Sequence, residues 1–154
     1  MAGLYFEEFS VGQVFEHEWT RTVTDMDNTL FSSLTMNVQP LHIDVHFAAK
    51  TEFGRPIVNS FFTLGLIVGI SVNDTTLRTT VANLGLGETK FPAPVFVGDT
   101  IHVRTEIKAK RESRSRPNAG IIEFEHVGLN QDDVIVCVSR RTALMHRKPG
   151  GGKA

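Results

Sequence analysis

SFFTLGLIVGISV, residues 60–72, decides the fold. Its apolar residues fall nearly all round a helical wheel, so the segment predicts a buried helix rather than an amphipathic surface one. Asn59 stands where a capping residue belongs. From about Thr79 the hydrophobic period changes to two. In IHVRTEIKAK, residues 101–110, Ile101, Val103, Thr105, Ile107 and Ala109 alternate with His102, Arg104, Glu106, Lys108 and Lys110. VANLGLGETKFPAP supplies another strand, ended by a turn at Gly98-Asp99. GIIEFEHVGL and VIVCVSRRTALMH supply two more, joined by NQDD, which has hairpin-turn chemistry. Helices followed by a run of antiparallel strands mean an α+β domain, with one long buried helix wrapped by a curled antiparallel sheet.

Upstream of that helix, QVFEHEWTRTV, residues 13–23, reads as a strand or extended arm. Thr24 is an N-cap with Asp27 three positions on, and LFSSL continues the short helix they open. TMNVQPLHID, residues 35–44, is the break after it, because Pro40 disfavours helical geometry at Gln39. A second short helix is expected from His46 to about Glu52, ended by Gly54 and Pro56. Residues 1–148 form one domain and 149–154 predict a disordered tail, with no internal repeat.

Composition narrows the functions open to such a domain. The 154 residues are 41% hydrophobic and 21% charged, enough for one core of ordinary size. Sixteen Lys+Arg against seventeen Asp+Glu, a formal charge of -1, offer no field to gather nucleic acid or an anionic membrane. Cys137 is the single cysteine, so no internal disulfide forms and no metal-ligand spacing exists around it. The start, with Glu7 and Glu8, lacks signal-peptide character, and the apolar run from Phe61 to Ile70 is too short to span a bilayer. A soluble cytoplasmic protein is the expectation.

Within TMNVQPLHID, His42 is the candidate acid/base. In an extended segment His42 and Asp44 share a side, so Asp44 either orients the imidazole or caps the helix near His46, and both readings stay open. Asn37, five residues before His42, would hold a water beside the ring. GRPIVNS feeds directly into the long helix, whose first free amides, near Ser60, form an anion-stabilising pocket reinforced by the helix dipole. An acid/base facing such amides suits chemistry beside a carbonyl. Arg104, Lys108, Lys110, Arg111, Arg114 and Arg116 are the densest basic run, either a solvated strand face or a landing surface for phosphates. VANLGLG, residues 81–87, either lines a tunnel with small residues or is a glycine-bent strand.

From about Val23 to Ile107 the chain resembles the MaoC-like dehydratases, the hot-dog-fold R-specific enoyl-CoA hydratases. Their motif runs roughly G-D-x-N-P-L-H-x-D, and MNVQPLHID lies in that register. Pro40, Leu41, His42 and Asp44 match, while the family's catalytic Asp falls on Asn37 and its motif Asn on Gln39. F-G-x-P-I-V-H-G appears as FGRPIVNS, with Asn59 and Ser60 replacing His and Gly, and FPAPVFVGDTIHVRTEI matches a third block.

The resemblance implies a single hot-dog domain that adds water syn across C2–C3 of an enoyl-CoA thioester. His42 would be the acid/base and the Ser60 backbone N–H the oxyanion donor, while Asn37, which cannot accept a proton, would position water or substrate. Gln39, Asn59 and Arg55 would touch substrate. Arg55 would meet the carboxylate of a dicarboxylyl substrate such as itaconyl-CoA or mesaconyl-CoA, or else cap a loop. Arg104, Lys110, Arg111 and Arg114 would hold coenzyme A, which enters as part of the substrate, with no metal and no other cofactor. Assembly as a homodimer or dimer of dimers is implied. An acyl-CoA thioesterase and a non-catalytic acyl-CoA-binding subunit are the alternatives.

Overall fold

The computed structural model describes residues 3–150. A 3₁₀ turn at Phe6–Glu8 leads into β1 (Val14–Glu16) and β2 (Arg21–Thr22). Helices α1 (Asp25–Leu34), α2 (Pro40–Ile43), α3 (Val45–Ala48) and α4 (Ser60–Thr75) follow. The strands β3 (Thr80–Lys90), β4 (Thr100–Glu112), β5 (Ala119–Leu129) and β6 (Ile135–His146) complete the chain. All pairings are antiparallel, in the order β1-β4-β5-β6-β3 with β2 also against β4, so the sheet is open and the fold is α+β as expected. Of the expected tail, Pro149 and Gly150 form a turn, and residues 151–154 lie outside the described residues.

The long helix packs on β4, β5 and β6. It crosses β5 closely at Gly128, where an added Cβ would stand 2.5 Å from Ile67 Cγ2, so a side chain there would push the helix off the sheet. Ile67 joins Val103, Val136 and Cys137 in the main core. Phe6 and Phe9, from the N-terminal turn, close a second core against Ile107, Phe124 and Met145. The alternation of β4 holds from Ile101 through Val103, Thr105 and Ile107, all buried. It is then displaced by a bulge between Ile107 and Ala109.

The helix caps follow the residues that predict them. Thr24 Oγ1 accepts the Asp27 N–H at 3.3 Å while Asp27 Oδ2 accepts the Thr24 N–H at 2.8 Å, a reciprocal box. Asn59 caps α4, its side-chain oxygen accepting the Phe61 N–H at 3.0 Å. The turn at 130–133 forms as expected, with the Asn130 side chain accepting from both Asp132 and Val134.

Three expectations need correction. The arm at residues 13–23 is strand only at β1 and β2, because its backbone bonds to β4 lapse over residues 18–20. The helix expected at His46 to Glu52 runs Val45–Ala48, and a separate turn of helix, α2, precedes it. The long helix is not covered all round within one chain, since Phe61 is 69% exposed and Gly65 and Gly69 are also open. Gly65 and Gly69, with Trp19, Phe31, Phe62 and Leu66, line an apolar groove of about 610 Å³.

Candidate active site

Pro40 disfavours helix at Gln39, whose ψ is 116°, yet its own fixed φ suits the first position of a helix, so α2 starts there. This single turn carries His42. The extended geometry that would set Asp44 beside the imidazole is therefore absent. Asp44 instead caps α3, its carboxylate accepting the Phe47 N–H at 2.9 Å. The imidazole is oriented by the backbone of Ile57, whose carbonyl oxygen lies 2.9 Å from His42 Nδ1. A carbonyl only accepts, so Nδ1 carries the proton and, in the neutral ring, Nε2 keeps a lone pair.

The residues after Ile57 connect this histidine to the start of α4. The Ile57 N–H donates to Leu41 O at 3.2 Å and the Val58 N–H to Val95 O at 2.8 Å. The segment is thus stitched to the His42 turn on one side and to the strap before β4 on the other. Ser60 then opens α4, and its N–H donates to no group among the described residues. Ser60 lines a cavity of about 300 Å³ together with Phe53, Ile57, Thr63, Phe91 and Val136. Four consecutive residues, Ile57 to Ser60, therefore carry both the carbonyl that orients His42 and the free amide of a helix start.

Asn28 sits beneath this segment, fully buried in α1. Its Nδ2 donates to His42 O at 2.9 Å and to Ile57 O at 3.2 Å, and its Oδ1 accepts the Asn59 N–H at 2.9 Å. Nothing in the sequence singled it out, because its partners lie 14, 29 and 31 residues away.

The other candidates are placed as follows. Asn37 Oδ1 accepts the Gln39 N–H at 3.2 Å within its own loop, so the oxygen meant to hold a water is already engaged. Gln39 is exposed, and its carbonyl accepts the His42 N–H at 3.0 Å. Asn59 is 2% exposed; one end of its side chain caps α4 and the other donates to Ser32 Oγ at 3.3 Å, so it faces the interior rather than substrate. Arg55 is exposed, stacked 4.0 Å from the centroid of the Phe96 ring, with no carboxylate partner among the described residues.

The basic run is dispersed. Lys110 Nζ donates to the carbonyls of Phe9 at 2.7 Å and Glu7 at 3.1 Å and lies over Phe6, holding the N-terminal turn rather than meeting phosphates. The bulge in β4 turns it that way. Arg104 is exposed in the first half of β4, while Arg111 and Arg114 line a groove at the far tip of the β4–β5 hairpin. That tip is several residues of strand, at about 3.3 Å each, from the end of β4 nearest α4's start. The glycine-bent reading suits residues 81–87, an edge strand whose register shifts along β6. Burial pushes the Cys137 thiol up to about 11, which leaves it without thiolate at neutral pH. No group of three potential metal ligands occurs among the described residues. None of the helices described is long and apolar enough to cross a membrane.

The residues thus offer an oriented imidazole at His42, a free amide at the start of α4 and a small cavity lined by Ser60 and Ile57. The sequence profile of the MaoC like domain matches residues 7–128. The β-methylmalyl-CoA dehydratase of Chloroflexus aurantiacus is 29% identical over 146 residues, 95% of this chain and 41% of that protein. The mesaconyl-CoA hydratase of Cereibacter sphaeroides is 28% identical over 147 residues, 96% of this chain and 42% of that protein. The chain therefore spans about two fifths of the length of these relatives. A Mycobacterium tuberculosis structure with a double hot-dog fold superposes with a TM-score of 0.87 at 24% identity, over 99% of this chain and 47% of that one. The hot-dog architecture follows.

Proposed function

We propose, from the premise that the chain belongs to the MaoC-like dehydratase family, that it hydrates an enoyl-CoA thioester. The observation that supports this reading is the Ile57–Ser60 segment, four residues that carry both the carbonyl orienting the His42 imidazole and a free amide at the start of α4. In hydration, His42 Nε2 takes a proton from water as the oxygen bonds to C3. Negative charge moves onto the thioester oxygen, where the Ser60 N–H and the positive end of α4 stabilise it. His42 then returns the proton to C2, so one residue performs both transfers and the water is added whole. Asn37 donates or accepts hydrogen bonds in this scheme and transfers no proton.

A short branched dicarboxylyl thioester is the proposed substrate class. Two relatives are named for β-methylmalyl-CoA and mesaconyl-CoA, and the cavity of about 300 Å³ fits a short acyl group. Its lining is largely apolar, so the second carboxylate would be met outside it, and Arg55, which lies in sequence between the lining residues Phe53 and Ile57, has no acidic partner among the described residues. Arg111 and Arg114 remain the candidate contacts for coenzyme A phosphates, reached from a second subunit given their place at the hairpin tip.

The test is a paired assay with mesaconyl-CoA and crotonyl-CoA, following enoyl absorbance and free thiol together. Loss of absorbance without thiol release is expected. Thiol release without hydration would make the chain a thioesterase, and neither signal would leave an acyl-CoA-binding subunit.

A further inference from the structure

We propose that Asn28 is the positioning residue of the His42 acid/base, a role that rests on the hydratase reading above. The orientation of its amide is not in question: both neighbours of Nδ2 are carbonyl oxygens and the neighbour of Oδ1 is an N–H, so only one flip satisfies all three. One planar group therefore grips three backbone points. They are His42 itself, the Ile57 carbonyl that sets its tautomer, and Asn59, whose next residue supplies the Ser60 amide. The Ile57 oxygen accepts from His42 Nδ1 and Asn28 Nδ2 together, so Asn28 shares in placing the acceptor that keeps the proton on Nδ1.

A second contact comes from the same face of α1 one turn on, where Ser32 Oγ accepts from the Asn59 side chain. Helix α1 thereby fixes the distance between the base nitrogen and the oxyanion donor without touching substrate. A displacement of about 1 Å in such a pair costs on the order of 100-fold in rate. An aspartate has the same shape at this position but cannot donate, so Asn28→Asp keeps one of the three bonds, and Asn28→Ala keeps none.

The experiment combines steady-state kinetics with nitrogen-15 NMR of the His42 ring. The expected result is a fall in kcat of about 10- to 100-fold for both variants with KM little changed, and a mixture of ring tautomers in place of Nδ1–H alone. Ser71→Ala, which removes a buried hydroxyl bonded to Val68 O elsewhere in α4, serves as the control for lost stability and should keep the wild-type tautomer. Asn28 variants with wild-type kcat and tautomer would overturn the proposal. If neither variant folds, the wild-type protein decides. Asn28 side-chain protons that exchange slowly would support the grip, and exchange at the rate of a solvated amide would overturn it. Absence of hydration in the wild type would count against the hydratase reading alone, and the tautomer and exchange measurements would still decide whether Asn28 holds His42.

Discussion

The imidazole of His42 and the backbone carbonyl of Ile57 are joined by a 2.9 Å hydrogen bond across fifteen residues of chain. The bond leaves Nε2 as the only ring atom able to take a proton, and it is replaceable without harm to the fold, because the same carbonyl also accepts from Asn28. His42→Ala should therefore lower kcat by about 10²–10⁴-fold, the range of general acid–base groups, while costing only ~1 kcal/mol of stability. Turnover and urea unfolding measured on the same preparation check both halves. Near-normal hydration by the variant would make the turn at α2 structural.

Arg55 provides the test of substrate class. Its guanidinium lies on the Phe96 ring and faces solvent, so it is not required for the core. Arg55→Ala should reduce kcat/KM for mesaconyl-CoA by about 10- to 100-fold, the worth of a hydrogen bond to a charged group, and leave crotonyl-CoA nearly unaffected. Equal losses on both substrates would refute the carboxylate contact and leave hydration itself standing.

A buried polar chain sets the acid limit of stability. Asp74, His17, Thr105, His126 and Arg141 are linked end to end, with hydrogen bonds of 2.7, 2.8, 2.8 and 3.1 Å. Burial, then the charge of Arg141 and then that of His17, hold His126 down at about 3. In the unfolded chain the same ring takes its proton near ~6.5. The unfolded state therefore binds the extra proton between those values, so the contribution of His126 is complete above ~6.5 and is lost as pH falls toward the folded value. Unfolding free energy should drop by up to ~1.4 kcal/mol per pH unit from this residue alone. In His126→Gln the slope between pH 6 and 4 should shrink by one proton. An unchanged slope would mean that other groups govern acid unfolding.

Much of this architecture could be read before any coordinates, for identifiable reasons. The long helix announced itself because SFFTLGLIVGISV has too little polar surface for any other place, and Asn59 marked its start. Yet composition does not say whether its own sheet or another chain covers each face, and the exposure of Phe61 escaped prediction for that reason. The turn of α2 was hidden because four residues are too few to show a period, and Pro40 was read only for its effect on Gln39. Lys110 was placed outward by strict alternation, and the bulge after Ile107 reversed it. The helix start at Ser60 was legible because a capping residue beside an apolar run is a local feature. Asn28 was not, since its meaning lies wholly in partners brought to it by the fold.

The edge strand β3 leads to the remaining prediction, a homodimer. Paired on one side only, to β6, it exposes Leu84 at 51% and Leu86 at 48% along a run of free backbone donors and acceptors. Such an edge invites pairing, and β3 carries few charges to prevent it. Two-fold pairing of β3 with its copy would extend the sheet across two chains and bring a second hot-dog beside the first. Light scattering at micromolar concentration should report twice the mass of one chain. Because Leu86 is half exposed, Leu86→Lys should leave each subunit folded but place like charges across the two-fold. Removing an apolar contact of this kind from an interface centre costs about 2 kcal/mol or more, which raises the dimer dissociation constant by more than tenfold. A wild-type monomer at that concentration, or a Leu86→Lys dimer as tight as the parent, would show that β3 is not the joint.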